Sequence, residues 1–169
     1  RPFESVVQLC LRALERIDVR EAPDGTRKLV LGTRDAARIE AVLIPEGRRQ
    51  TLCVSSQIGC SLDCSFCATG RMGLGRNLRA EEIVDQALHA CEPLAAAGKA
   101  LTHVVFMGMG EPLLNLASVV QAIADMMYRA MGELLSRSLS DTLGTGPIPF
   151  LHGGLSAERR DRLVHAFQN

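Results

Sequence analysis

Three cysteines stand within eight residues, Cys60-Ser-Leu-Asp-Cys64-Ser-Phe-Cys67, at the spacing C-x3-C-x2-C. Thiols this close along a short loop can all face one soft centre. Three ligands leave the fourth corner of that centre open. A zinc site that only holds a fold closes all four corners with Cys or His. A cubane iron–sulfur cluster on three thiolates instead keeps one iron free to take a further ligand, and the spacing is not that of the ferredoxin runs. The same residues also admit a zinc knuckle with Cys53 as fourth ligand, or three unpaired core thiols.

The rest of the chain bounds these readings. With 169 residues, 47% hydrophobic and 22% charged, it has the size and composition of one globular domain or slightly more. Aromatics make up only 4% and Trp is missing, so the core must be built from Leu, Val, Ile, Ala and Met. Six cysteines do not make a disulfide scaffold in a chain this long and this poor in loops. No apolar run reaches the length of a membrane span, and no secretion signal precedes the thiols. Clustered thiols without such a signal predict a reducing cytoplasm. The chain opens on Arg1 rather than Met, which reads as a fragment. Charge is balanced, 19 basic against 19 acidic side chains, giving no global attraction to nucleic acid. Around the cysteine loop, however, Arg48, Arg49, Arg71, Arg76 and Arg79 face only Glu46 and Asp63. Either a phosphate-facing patch or ordinary solvated arginines would give that excess.

Taken in order, the periodicity predicts a helix over Pro2 to Ile17, on the stripe Val6, Leu9, Cys10, Ala13, Leu14 and Ile17. Asp24-Gly25 is a turn signal. Lys28 to Gly32, Arg38 to Pro45 and Thr51 to Ser55 read as strands, the last running straight into the cysteine loop. Gly70, Gly73 and Gly75 mark a backbone that turns tightly or approaches something closely. A helix begins near Ala80, with Ile83, Val84, Ala87, Leu88, Cys91 and Leu94 inward, Glu81 and Glu82 in its first turn, and Gly98 at its end. Leu101 to Met107 is a continuous apolar run, as expected of a parallel strand buried on both faces. It leads into Gly108-Met-Gly-Glu111-Pro112, and a helix follows over about 117–127. The order is βαβα with its special loops at the carboxyl ends of strands, where parallel α/β architectures bind ligands.

Several separated motifs then occur in order. They are Thr51-Leu-Cys-Val-Ser-Ser-Gln-Ile-Gly-Cys60, the three loop cysteines, Gly-x-x-Arg-Asn-Leu ending at Leu78, and Gly108-Met-Gly-Glu-Pro-Leu-Leu-Asn115. The C-x3-C-x2-C spacing matches the signature of radical S-adenosylmethionine (SAM) enzymes. Together the motifs resemble the RlmN/Cfr family of radical SAM RNA methyltransferases over roughly Asp24 to Met127. The resemblance implies an α/β fold, a partial radical SAM (TIM-like) barrel of parallel βα units preceded by a small helix and β-hairpin. It implies that Cys60, Cys64 and Cys67 hold a 4Fe-4S cluster and that Gly110 and Glu111 meet the methionine end of SAM. Cys53 matches the cysteine that takes a proton from the modified base, and Glu40 matches a proton acceptor. On residue type alone, Cys53 is a core thiol and Glu40 a paired or solvent-facing carboxylate. The activity implied is methyl transfer to C2 of adenosine in 23S rRNA and tRNA, with an electron donor such as flavodoxin. C8 methylation and a non-catalytic zinc or RNA-binding module are the alternatives.

Two departures accompany the resemblance. The family's methyl-carrying cysteine lies near its C-terminus, and no cysteine follows Cys91 here. Beyond Met127 the pattern changes, and Pro149-Phe-Leu-His-Gly-Gly-Leu-Ser-Ala-Glu-Arg-Arg-Asp-Arg-Leu-Val-His-Ala-Phe-Gln168 resembles part of the second helicase lobe of Swi/Snf-type ATPases. The expected organisation is an N-terminal extension (1–45), a partial barrel (46–127) and a helicase-like, foreign tail (128–169).

Overall fold

The computed structural model describes residues 12–143, with side chains described for 12–130. Three strands form an antiparallel meander: β1 (Leu14–Glu21), β2 (Arg27–Thr33) and β3 (Arg38–Glu46). It continues into β4 (Arg49–Cys53), which pairs antiparallel with β3. A two-stranded ribbon follows, β5 (Gln57–Gly59) and β6 (Leu74–Asn77), and the cysteine loop lies between its strands. Then come α1 (Ala80–Ala96), β7 (His103–Val105), a 3-10 turn at Pro112–Asn115 and α2 (Leu116–Leu143). The sheet order is β1-β2-β3-β4-β7, and β7 runs parallel to β4 as a βαβ crossover requires.

Register assigns the two faces of this sheet. Leu31 pairs Ile39, Leu29 pairs Ala41 and Leu43 pairs Leu52, and all six are buried. The opposite face carries Glu40, Val42, Thr51 and Cys53, each half-buried. One face is therefore core and the other stays open.

The predicted helix over Pro2 to Ile17 is corrected in part. Its first residues lie outside the described residues, but Leu14 to Ile17 open a strand. Apolar spacing of three and four suggested a helix, whereas the following residues alternate with β-branched Ile17 and Val19. Pairing with β2 from Leu14–Thr33 to Glu21–Arg27 settles it. A bulge between Arg16 and Asp18 leaves Ile17 free to lie over Gly32, where a Cβ would come within 2.9 Å of its Cδ1. The buried run Leu101 to Met107 is also corrected. Only His103–Val105 is strand, His103 is exposed, and Met107 is 80% exposed. Among the described residues β7 pairs on one edge only, with β4, and Val104 and Val105 are half-buried.

Helix α1 forms where expected and ends at Gly98, whose φ of +66° suits a residue without Cβ. Its buried side is more polar than the stripe predicts. Asp85 accepts from the Ala13 and Leu14 amides at 2.9 Å, and Gln86 accepts from Ser55 N at 2.8 Å while donating to Ser55 O at 3.0 Å. Helix α2 runs to Leu143, well past the predicted stop near 127; it passes through Gly132, and no Pro intervenes before Pro147. The chain divides into two compact units, Arg1–Ile123 and Ala124–Asn169. The helicase-like stretch Pro149 to Gln168 lies outside the described residues.

Candidate SAM and cluster site

The ribbon β5–β6 holds both ends of the cysteine loop. Cys60 N donates to Gly73 O at 3.0 Å. Gly59 sits at φ +72°, and a Cβ there would lie 1.9 Å from Gly73 O, so only glycine permits this approach. Further along, the loop folds on itself. Cys67 N donates to Cys64 O at 3.0 Å, and a Cβ on Gly70 would meet Leu62 O at 2.7 Å. Cys60 is buried, while Cys64 and Cys67 are half-buried.

Amides point at two of the sulfurs. Leu62 N lies 3.4 Å from Cys60 Sγ. The amides of Gly70 and then Thr69 hydrogen-bond the Cys67 sulfur and hold its pKa below the ordinary thiol range. Amide donors stabilise thiolate, the form that ligates metal. Among the described residues, no three His, Cys, Asp or Glu side chains lie close enough together to hold a metal ion as they stand. The loop thus supplies three sulfur donors and amides suited to thiolate, but its side chains are not gathered into a ligand set.

The Gly108–Glu111 loop lies against the continuation of β4. Gly108 N donates to Val54 O at 3.0 Å, and Met109 O accepts from Ser56 N at 2.8 Å and Gln57 N at 3.2 Å. Gly110 is at φ +91°, and a Cβ on it would fall 2.4 Å from Gln57 Cβ. Glu111 N donates to Gln57 Oε1 at 2.9 Å, and the Glu111 carboxylate accepts from Leu113 N at 3.0 Å. Ser56 Oγ is buried beside this loop with no hydrogen-bond partner in the protein, leaving one hydroxyl with unused capacity. The residues Val54 to Gln57 therefore join the two loops at one edge of the sheet. This cradle, with a half-buried carboxylate and backbone packed too tightly for any side chain at Gly110, suits an amino-acid ligand such as the methionine end of SAM.

Cys53 ends β4, opposite Val42 on one side and Val105 on the other. Burial pushes its thiol above the ordinary value, and a backbone hydrogen bond from Met107 offsets this only in part. Glu40 lies on the same open face, one diagonal step along β3 from Val42. Its carboxylate accepts from Lys28 Nζ at 2.8 Å. The structure thus brings Cys53 and Glu40 onto one face.

The arginine excess does not form a patch. Arg76 spends all five N–H donors inside the protein. Nε and Nη2 bond Asp35 at 2.7 and 2.8 Å, Nη1 and Nη2 bond Glu82 at 2.8 Å, and Nη1 also reaches Asn77 O at 3.0 Å. Arg79 pairs with Glu81 at 2.7 Å and Glu82 at 3.6 Å. Arg49 opposes Glu46 at the far end of β4. Of these five, Arg71, exposed and 3.5 Å from Ser65 O, lies in the loop segment with no ion pair among the described residues. The phosphate-facing reading of Arg76 and Arg79 is therefore withdrawn.

The Asp35–Arg76–Glu82 tie fastens the β2–β3 turn to the ribbon and to the first turn of α1. Burial pushes the Glu82 carboxyl up, but hydrogen bonds from Arg76 and the Arg79 amide more than offset it and leave it below its ordinary value. The Arg76 hydrogen bond likewise holds Asp35 far below the usual range. Both folded pKa values are depressed, so their stabilisation is present above the ordinary carboxylate range and lost as pH falls through the folded values. Thermal midpoints measured from pH 7 to pH 3 are expected to fall. Glu82→Gln, which removes one anchor of Arg76, should cost about 2 kcal/mol at pH 7 and flatten that pH dependence. A variant as acid-sensitive as the parent would refute the assignment.

Sequence reasoning missed Ser55, Gln57, Asn77, Gln86 and Asn115. Asn115 Nδ2 donates to Ser56 O at 2.8 Å and Leu78 O at 2.7 Å. Ser55, Gln57, Asn77 and Asn115 lie inside the motifs themselves, but a polar residue in a motif does not distinguish a buried network from a surface turn.

The family model of the Radical SAM superfamily matches residues 54–141, more than half of the chain. The chain belongs to the radical SAM superfamily, the class defined by a 4Fe-4S cluster and SAM. Among particular proteins it is similar to the dual-specificity RNA methyltransferase RlmN of Syntrophobacter fumaroxidans, 54% identical over 113 residues, covering 67% of this chain and 33% of that protein. RlmN of Marinobacter nauticus is 51% identical over 145 residues, covering 83% of this chain and 39% of that protein. The crystal structure of a radical SAM methyltransferase from Sphaerobacter thermophilus aligns with a TM-score of 0.66 at 41% identity, covering 73% of this chain and 38% of that one. The chain spans about a third of the length of the curated relatives it matches. Among the described residues, no helix is long and apolar enough to cross a membrane.

Proposed function

We propose that this chain supplies the cluster- and SAM-binding part of a radical SAM methyltransferase acting on C2 of adenosine in 23S rRNA and tRNA. The observation that carries the reading is the junction at Val54 to Gln57. It fastens a three-cysteine loop and a Gly-Met-Gly-Glu loop to one strand end, in a chain about half identical, over the matched residues, to proteins named dual-specificity RNA methyltransferases. Cys60, Cys64 and Cys67 would hold the cluster, which when bound supplies one electron for reductive cleavage of SAM. Gly110, which lies against Gln57 at φ +91°, would present its backbone to the methionine end, and Glu111 meets the ammonium group. Cys53 takes a proton from the modified base. Its raised pKa keeps it a thiol at neutral pH, so it must first lose its own proton. Glu40, on the same open face, is the acceptor. An electron donor such as flavodoxin and a cytoplasmic setting belong to this reading, as does the division into an extension (1–45), a partial barrel (46–127) and a tail from 128.

The substrate side is tested by binding the full chain, reconstituted anaerobically, to a 23S rRNA hairpin at rising salt. Since Arg76 and Arg79 are tied down, Arg71 is the cation beside the loop left for phosphate. Arg71→Ala is expected to weaken binding and to lower the salt slope by about 1, whereas Arg79→Ala leaves the slope unchanged. No affinity for the hairpin at low salt would count against RNA.

A further inference from the structure

Gln57 is buried three residues before the first cluster cysteine, and no role in the reaction attaches to it. Its side-chain amide is used at both ends. Oε1 accepts from the Glu111 amide at 2.9 Å, and Nε2 donates to Asn77 Oδ1 at 2.7 Å. Asn77 Nδ2 in turn donates to Leu114 O at 3.3 Å, beyond the same glycine loop. Ser55 fixes the other end of that loop: its hydroxyl accepts from Met109 N at 2.8 Å and donates to Glu40 O at 2.6 Å. Met109 and Glu111, on either side of Gly110, are thus each held through a backbone amide by a buried side chain of the strand that enters the cluster loop. Gly110 lies directly against Gln57: a Cβ on it would fall 2.4 Å from Gln57 Cβ and 2.8 Å from Gln57 N.

We propose that Gln57 is a positioning residue for SAM: it sets the backbone of Gly110 and Glu111 relative to the cysteine loop, with Asn77 holding its amide in the right sense. The proposal rests on the reading of Gly110 and Glu111 as the methionine-end contacts. Its physical basis is a rigid, satisfied amide bridge. Unsatisfied, the half-buried Glu111 N–H must seek another partner and the loop moves with it. A displacement of a few tenths of an ångström matters because the amino-acid end of SAM must reach both Glu111 and the cluster.

The test uses the full chain, reconstituted anaerobically, with iron content and optical spectrum as controls. Equilibrium dialysis gives SAM affinity. Hydrogen exchange without SAM gives protection of the peptide spanning Gly108 to Glu111. Gln57→Leu is expected to weaken SAM binding about ten-fold and to speed exchange in that peptide, with the cluster spectrum retained. Gln57→Glu keeps an oxygen facing the Glu111 amide and should restore protection. Asn77→Ala, at an exposed position that tolerates truncation, should act in the same direction by about three-fold, so the idea remains testable if Gln57→Leu does not fold. Wild-type SAM affinity and exchange in both Gln57→Leu and Asn77→Ala would overturn the proposal. A wild-type chain that binds no SAM would defeat the reading of Gly110 and Glu111, while exchange at Glu111 would still decide whether Gln57 pins the loop.

Discussion

Replacing Cys64 by alanine is expected to take the reconstituted chain from about four irons to none, with loss of the brown colour. Two loop thiols cannot hold a cubane that has no other protein ligand. The substitution isolates the sulfur because the backbone at Cys64 does the folding work of the loop. Its carbonyl accepts from Cys67 N, and its amide lies against Gly70, where a Cβ would approach to 3.2 Å. Alanine keeps both, so the thermal midpoint of the metal-free chain should not move. Cys53→Ala separates the readings of the metal. Cys53 sits in a strand paired on both sides, and under the cluster reading its loss leaves iron content intact. Under a zinc-knuckle reading with Cys53 as fourth ligand, it abolishes binding. A colourless protein that takes up one zinc and no iron would decide for the knuckle. A normal iron spectrum in Cys64→Ala would sink the ligand assignment.

What the sequence revealed followed the range of the forces involved. Short-range chemistry was legible. The strands at Lys28 and Arg38, the start of α1 at Ala80 and its stop at Gly98 all depend on residues within a few positions of each other. So did the demand for glycine at Gly70, Gly73 and Gly75, which the structure explains as close approaches at Gly70 and Gly75 and a φ of +69° at Gly73. Long-range pairing was not legible. Leu14 to Ile17 carry a helical stripe, but β2 claims them as a strand partner. Arg76 looked like a phosphate ligand because its acceptor Asp35 stands 41 residues away. Ser55 and Gln86, 31 residues apart, make a buried amide pair whose members look separately like surface polar residues. The site's motifs could be found, but the network that positions them could not, since positioning depends on partners brought together only by the fold.

Incubated anaerobically with SAM, reductant and RNA, this polypeptide is expected to release 5′-deoxyadenosine and to leave adenosine unmethylated. The cleavage half of the proposed reaction needs the cysteine loop and the Gly108–Glu111 loop, and both are built and fastened together. The transfer half, as the family resemblance implies it, needs two further thiols with separate jobs, one to carry the methyl group and one to take the proton. Cys53 fills the second. For the first, Cys91 is the other described cysteine outside the loop. It lies toward the C-terminal end of α1, five residues beyond Gln86, whose side chain holds Ser55 of the junction. Five residues at 3.6 per turn is about 140° around the helix, so the thiol leaves α1 on a different side from the Gln86 contact. Shielding is a second obstacle. A reactive intermediate must be kept from water and stray hydrogen donors, yet Phe66 in the cysteine loop is 91% exposed and Met107 beside Cys53 is 80% exposed. Cleavage without transfer is therefore expected to be slow, and insensitive to Cys53→Ala, because that thiol acts only after the methyl group has been delivered. Mass spectrometry of the digested nucleosides, together with quantified 5′-deoxyadenosine, reads both halves in one experiment. Methyladenosine formed over many turnovers by this polypeptide would show that one of its own thiols carries the methyl group and that the assignment made here is wrong.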